Sequence, residues 1–540
     1  MKNMPQLPDI PEEEQTPLVK TLLVLLEQFS TRIVLLEETN ASLKDEINVL
    51  KGEKKTPTFK PSGMDESTDS EPSSDDRNGK KRRPGSGKKP KNAQLTIHEE
   101  VSIAPSIEIP EGSRFKGYRD FVVQNLHIES RNTRYRLERW ITPEGETIKA
   151  ELPAELGGRH FGPELIRFVL YQYHHCQTTQ PLLLEQLREY GIDISAGQIE
   201  AILSQGHEHL HAEKDALLQA GLSSSRFVTV DDSGARHQGK NGYVTHIGND
   251  NFAWFKSTAS KSRLNFLDIL RAGHKDYILS IDAIQYMKQH KLPLVQVNKL
   301  RPYIGEHYEN EAAWLERLHS LNIRSKQHIR IASEGTLLSS VLHNGFCNDL
   351  VIVSDDAGQF NILQHALCWI HAERLVHKTL ALNESHRQII VEVRDQIWTL
   401  YADLKAFKNA PEQWNKKELA QRFDQLFTKK TSFATLNQLL KRIHRNKAEL
   451  LKVLERPEIP LHTNGSETDI RDYVKKRKVS GGTRSDEGQR CRDTFISLKK
   501  SCRKLGISFW DFLHDRIGCT ESSIPQLSDL VRARASAPAY

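Results

Sequence analysis

Two short β-type runs, RFVTV at Arg226–Val230 and LVIVS at Leu350–Ser354, each lead straight into an Asp-Asp pair, although more than a hundred residues separate them. A third acidic cluster, TNGSETDIRDY, reads as a helix in which Asn464, Glu467 and Arg471 fall on one face. One such doublet is ordinary turn or cap chemistry. Two doublets, each followed by a small residue and Gly, with a Glu-bearing helix downstream in a basic neighbourhood, demand more than turns. They constrain the chain to a fold in which distant strands and a helix bring carboxylates together. Hard divalent ions such as Mg²⁺ are held by one or two carboxylates plus water and substrate phosphate, so this pattern suits phosphodiester chemistry. It points to a nuclease or polynucleotidyl transferase that uses two Mg²⁺ ions, with Mn²⁺ as a substitute.

The segments around the doublets define the fold class. RFVTVDD, YVTHIGN and NFAWFKS read as three consecutive strands, followed by a helix from about Lys261 and later by LVIVS. That order gives an α/β core, a mixed sheet with helices, as in a ribonuclease H-like domain. We assign this core to residues 223–515, with helical insertions at about 272–345 and 380–455. At 540 residues the chain exceeds a single hydrophobic core, so further domains are expected.

Residues 17–52 carry a heptad seam of Leu22, Leu26, Phe29, Ile33, Leu36, Leu43, Ile47 and Leu50, with Asn40 at an a position. A polar a-position residue fixes register and favours two strands, so the segment predicts a coiled-coil homodimer. Residues 53–92 are Ser-, Asp-, Pro- and Lys-rich and read as a disordered charged linker. Short alternating runs broken by Pro-Glu-Gly turns predict a small β-rich module over 93–160. Residues 161–222 turn helical, and PLLLEQLREYGIDISAGQIEAIL reads as helix, Gly turn, helix, with Ser195 and Gln198 as a capping box. This helix-turn-helix-like region is a candidate DNA reader. Residues 516–540 are left as a C-terminal tail.

Net charge is only +6, so the distribution of charge carries the information. Beyond Glu467 the chain becomes cationic, and Lys475, Lys476, Arg477, Lys478, Arg484, Arg490 and Arg492 predict a track for DNA phosphates. Ser480-Gly481-Gly482-Thr483 offers backbone N–H groups to a phosphate. Six cysteines without a C-x-x-C pair argue against a disulfide framework or a zinc ribbon. No apolar run reaches the roughly 18 residues of a membrane span, so a cytoplasmic protein without a membrane partner is expected.

Taken together, DDSGARH, the run SDDAGQF with CWIHAER shortly after it, and PLHTNGSETDIRDYVKKRKVSGGT resemble transposases of the insertion sequence 66 family. The resemblance extends from about Phe161 to about Leu513, and the leading coiled coil and charged linker suit it. It implies a DDE-class enzyme with a ribonuclease H-like catalytic domain that cleaves strands at element ends and transfers them into target DNA. Its implied partners are element and target DNA, further copies of the chain and accessory transposition proteins, at the bacterial nucleoid. By position, the first acid falls on Asp231 with Asp232 beside it, the second on Asp355 with Asp356 as the alternative, and the third on Glu467. Asn464 is expected to cap or orient the Glu467 helix, and Arg471 to steady a phosphate or the carboxylate. Cys368, Trp369, His371 and Arg374 match the family's Cys-Trp-x-His-x-x-Arg stretch, read as a helix packed beside the site. Residues 93–156 contain no cysteine where many relatives carry a zinc module, so zinc cannot hold this region together. Two rival readings are a ribonuclease H-like nuclease that cuts without joining, and a non-catalytic DNA-binding regulator, which would place no joint demand on the three acids.

Overall fold

The computed structural model describes residues 96–536 except 154–155, 157–159, 345–348 and 519–522, together with scattered positions between 16 and 39. The described positions from 17 to 39 are helical, and Leu22, Leu26, Phe29, Ile33 and Leu36 of the heptad seam are exposed there. The rest of that seam and the linker at 53–92 lie outside the described residues.

Among the described residues of 96–160 the only strands are β1 (Arg139–Ile141) and β2 (Thr147–Lys149), an antiparallel pair with Trp140 opposite Ile148. The apolar side chains of this region, including Ile103, Phe121 and Trp140, are exposed. The expected β-rich module is therefore met by a single hairpin. Alternation supplies an apolar face to each run, but among the described residues no second layer covers it, and a lone hairpin is marginal.

The helical region contains α1 (Pro163–His174), α2 (Gln180–Glu189), α3 (Ala196–Ser204) and α4 (Glu208–Ser224). The Ser195 hydroxyl accepts from the Gln198 N–H, and the Gln198 side chain accepts from the Ser195 N–H, so the predicted capping box starts α3. Gly191 makes the preceding turn at φ +77°. However, α3 carries no Lys or Arg, presents Glu200 outward and buries Ile199 and Leu203. It lacks the positive face that a groove-reading helix uses.

The core sheet follows: β3 (Phe227–His237), β4 (Lys240–Gly248) and β5 (Ala253–Thr258), then α5 (Arg263–Leu270) capped by Ser262. The insertion at 272–345 contains β6 (Tyr277–Ile278), α6 (Ile281–Gln289), α7 (Leu294–Leu300), β7 (His307–Tyr308), α8 (Glu311–Ser320) and α9 (Lys326–His343). The chain returns to the sheet with β8 (Val351–Ser354) and β9 (Gln364–Leu367), then continues into α10 (Trp369–His377). The second insertion is helical, with α11 (Glu384–Asn409), α12 (Lys416–Phe427), α13 (Ala434–Arg445) and α14 (Lys447–Leu450). The remaining helices are α15 (Asn464–Ser480), α16 (Asp486–Lys504), α17 (Phe509–Arg516) and α18 (Leu527–Ser536).

Strand order in the sheet is β5-β4-β3-β8-β9: antiparallel from β5 to β3, parallel from β3 to β9. Every residue of β8 is buried, as expected of a strand covered on both faces. Val351 and Val353 pack with the second insertion, whereas Ile352 packs with the helical layer that includes α4, α5 and α16. The outer strand β5 is sealed by α16. Asp493, Ser497 and Ser501, one helical turn apart, accept the N–H groups of Ser257, Phe255 and Ala253 at 2.6, 2.9 and 3.0 Å. A helix side-chain row thus satisfies the backbone donors that an edge strand would otherwise expose.

The region read as a tail is in fact anchored. Leu527 and Val531 of α18 are fully buried, and α18 packs on α4. Arg516 holds Glu213 through two contacts of 2.8 and 2.9 Å beside it. The i, i+4 apolar pair was the available signal.

Candidate active site

Asp231 does not sit at a strand end, because β3 runs on through Asp232 to His237 as one arm of a hairpin with β4. The hairpin extends the strand beyond the point where its parallel neighbour stops. Parallel pairing with β8 ends at Thr229↔Val353. Continued by two residues, that register sets Asp231 level with Asp355, which does follow the end of β8. Adjacent strands lie about 4.8 Å apart, so the two residues occupy neighbouring positions where the parallel pairing of two interior strands ends.

Glu467 reaches the same place from α15, which packs on β3. The Ser466 hydroxyl donates to Thr229 Oγ1 at 2.5 Å within the core and pins the first turn of α15 against the strand. Burial raises the Asp231 carboxyl to about 6, and the Asp355 and Glu467 charges push in the same direction. The backbone N–H of Asp232, donating at 2.8 Å, works against this rise. These three acids therefore share one electrostatic environment.

The other member of each doublet is committed elsewhere. Asp232 accepts from the Thr245 hydroxyl at 2.5 Å and from Gln359 Nε2 at 3.0 Å. Asp356 is held by Arg442 at 2.6 and 3.1 Å and by Asn446 at 3.1 Å. Neither carboxylate is available in the way that those of Asp231 and Asp355 are.

The Cys368–Arg374 stretch contributes more than packing. Arg374 Nη1 donates to Glu467 Oε1 at 2.9 Å, and His371 Nε2 lies 3.6 Å from the same oxygen. His371 and Arg374 are three residues apart on α10, which places them on one face. Burial disfavours a charge on His371. The Cys368 thiol and the Glu467 and Asp355 carboxylates outweigh it and lift the imidazole to about 9. Arg471 Nη2 stands 3.8 Å from Glu467 Oε2 with its side chain 69% exposed, so it faces outward beside the site. Asn464 does not cap α15: it is the first helical residue, and Thr463 occupies the N-cap position. A cavity of about 300 Å³ opens next to Asp355, lined in part by Leu367, Cys368, His371, Arg442 and Asn446.

Two members of the expected phosphate track, Lys476 and Arg492, are interior. Lys476 is buried, donates to the Tyr173 carbonyl at 2.8 Å and lies over the Tyr173 ring. Burial, with Arg492 and Lys499 nearby, lowers it to about 7. Arg492 is buried against the Gly481 carbonyl at 3.1 Å, Arg477 donates to the Gly234 carbonyl, and Arg490 is paired with Glu208 at 3.0 and 3.2 Å. Lys475, Lys478 and Arg484 are exposed, as is Arg490 in its surface pair with Glu208. The glycine pair also has an internal task. A side chain on Gly482 would come within 2.3 Å of the Arg236 carbonyl oxygen, where Thr483 N–H donates to that oxygen at 2.9 Å and Thr483 O accepts from Gln238 N–H at 2.8 Å. The loop locks α15 onto the β3–β4 hairpin.

The donor set suits a divalent cation. The Asp355 and Glu467 charges both act on the half-buried Asp231, which cannot hold its own charge easily, and that is the strain a hard cation relieves. Thiol and imidazole groups stand at the rim but do not form a second ligand set. Among the described residues, no helix is long and apolar enough to cross a membrane.

The family model described as Transposase IS66 family matches residues 319–491, a span that includes Asp355 and Glu467. The uncharacterized protein y4jO of Sinorhizobium fredii is 43% identical over 321 residues, covering 59% of this chain and 100% of that protein.

Proposed function

We propose that this chain, which belongs to the IS66 family of transposases, cuts DNA at the ends of its element and joins the freed ends to target DNA with Asp231, Asp355 and Glu467 as catalytic residues. The observation that carries this reading is the shared register of Asp231 and Asp355, with Glu467 delivered beside them by α15. The sheet order, three antiparallel strands followed by two parallel ones, supports a ribonuclease H-like core for the same site.

The reaction is in-line displacement at phosphorus. Water attacks an end phosphodiester, the bond to the leaving oxygen breaks, and the 3′-hydroxyl so released attacks a target phosphodiester in turn. The three carboxylates would hold two Mg²⁺ ions, which when bound supply activation of the attacking oxygen and neutralisation of the leaving one. Arg374 and His371 hold the Glu467 carboxylate in place from the α10 side. Arg471, Lys475, Lys478 and Arg484 are exposed cations that steady DNA phosphates. Self-association through the exposed heptad face would bring two such sites to the two ends of an element.

A strand-transfer assay with end-sequence oligonucleotides and Mg²⁺ tests the reading. The wild-type chain should yield joined products, and Glu467→Gln should yield neither cut nor joined strands. Full cleavage by Glu467→Gln refutes the assignment, and hydrolysis without joining by the wild type moves the protein to a nuclease.

A further inference from the structure

We propose a second metal site, of the zinc class, formed by His211 on α4 with Glu487 and Cys491 on α16, outside the carboxylate cluster. Glu487 and Cys491 are one helical turn apart and so share a face, and His211 meets them from the facing helix. His211 Nε2 lies 3.3 Å from Glu487 Oε1 and 3.9 Å from Cys491 Sγ, and Cys491 Sγ lies 3.9 Å from Glu487 Oε1. Metal–ligand bonds of ~2.0–2.3 Å in tetrahedral geometry put neighbouring ligands roughly 3.3–3.8 Å apart, so these three atoms describe one face of a coordination tetrahedron. A nitrogen, a thiol and a carboxylate are a donor set that Zn²⁺ accepts and Mg²⁺ does not.

A second feature points the same way. His211 Nδ1 is 2.8 Å from the Thr494 hydroxyl. That bond orients the ring with Nε2 toward the cluster, as the outer hydrogen bond of a ligating histidine does. His211 and Cys491 are each only 2% exposed, whereas the Glu487 side chain is 44% exposed and leaves the fourth position open to water. Burial and the Arg490 charge lower His211, which leaves a neutral imidazole. A metal-bound cysteine is a thiolate, so an incoming ion displaces the Cys491 proton.

His207 to His211 spell the H-E-x-x-H of zinc peptidases. The geometry departs from that motif. His207 is not among the converging donors, since its Nε2 lies 2.8 Å from the Ile202 carbonyl, and Glu208 is occupied by Arg490. The site serves to clamp α4 to α16, the helix that seals β5, and has no hydrolytic base.

Cobalt titration of the metal-free, full-length protein tests this. Co²⁺ should bind at about one thiolate site per chain, seen as a thiolate-to-cobalt charge-transfer band. The band should vanish in Cys491→Ser and persist in Cys368→Ser, which alters the thiol beside the carboxylate cluster. Thr494→Val should weaken binding about tenfold while leaving the band's shape intact. If Cys491→Ser does not fold, Glu487→Gln should still weaken binding about tenfold. A wild-type chain without the band, a band that survives Cys491→Ser, or Glu487→Gln binding with unchanged affinity overturns the proposal and leaves a plain hydrogen bond between His211 and Glu487.

Discussion

Asp231→Asn should stabilise the metal-free protein while abolishing catalysis. Burial, with the Asp355 and Glu467 charges adding, holds the Asp231 carboxyl at about 6 against its ordinary 3.8. At about 1.4 kcal/mol per pKa unit, this difference is worth at most about 3 kcal/mol. The native state keeps the proton to a higher pH than the unfolded chain does. Stability therefore falls as pH rises from about 4 to about 6, and the full cost is present at pH 7. Asparagine removes the charge yet keeps an oxygen to accept the Asp232 N–H. The assay is urea unfolding in EDTA, followed by the fluorescence of buried Trp254 and Trp369. The variant should gain roughly 2–3 kcal/mol at pH 7 and almost nothing at pH 4. Equal stability of the two proteins at pH 7, or the same gain at both pH values, would refute the reasoning that burial and the neighbouring carboxylates outweigh the His371 charge and disfavour an ionised Asp231.

Arg374→Gln removes a charged hydrogen bond to a half-buried carboxylate and should cost about 1.5–3 kcal/mol by urea unfolding, with loss of strand cleavage. Asp469 lies among His246, Lys500 and Lys504 at 3.4, 3.4 and 3.0 Å, and against its burial the His246 imidazole and the two ammonium groups hold its carboxyl well below the usual range. Asp469→Asn should therefore destabilise the fold by about 3–5 kcal/mol. A depressed carboxyl contributes its stability above the unfolded value of about 4, so the gap between wild type and variant should hold at neutral pH and shrink as pH falls below about 4. Gly221→Ala would set a methyl 2.3 Å from the buried Phe252 ring, and thermal unfolding should report a loss of about 1–3 kcal/mol.

What the sequence made legible was local. The three strand runs between Arg226 and Thr258 and the Ser195–Gln198 box depend on neighbours in the chain, and both appear, although β3 continues past Asp232 to His237. The two doublets lie on or just after neighbouring strands, but the sequence does not say which aspartate of each pair is held by other elements, because Thr245, Gln359, Arg442 and Asn446 are distant in the chain. Counting charge misjudged Lys476 and Arg492 for a related reason. A cation facing Tyr173 or the Gly481 carbonyl looks the same in sequence as one facing solvent. The described residues of 96–160 show the limit of periodicity, since an apolar face becomes a folded module only when something packs against it. The bond from Arg374 to Glu467 spans 93 residues. Its one sequence signal was the spacing of His371 and Arg374 on a single helical face.

A crystal of the full-length chain soaked with Mn²⁺ and read by anomalous scattering tests the central claim most directly. Manganese bridging the carboxylates of Asp231, Asp355 and Glu467, with Asp232 and Asp356 still on their present partners, is the predicted result. Manganese bound only at other residues, with Glu467 remaining on Arg374 alone, would contradict it.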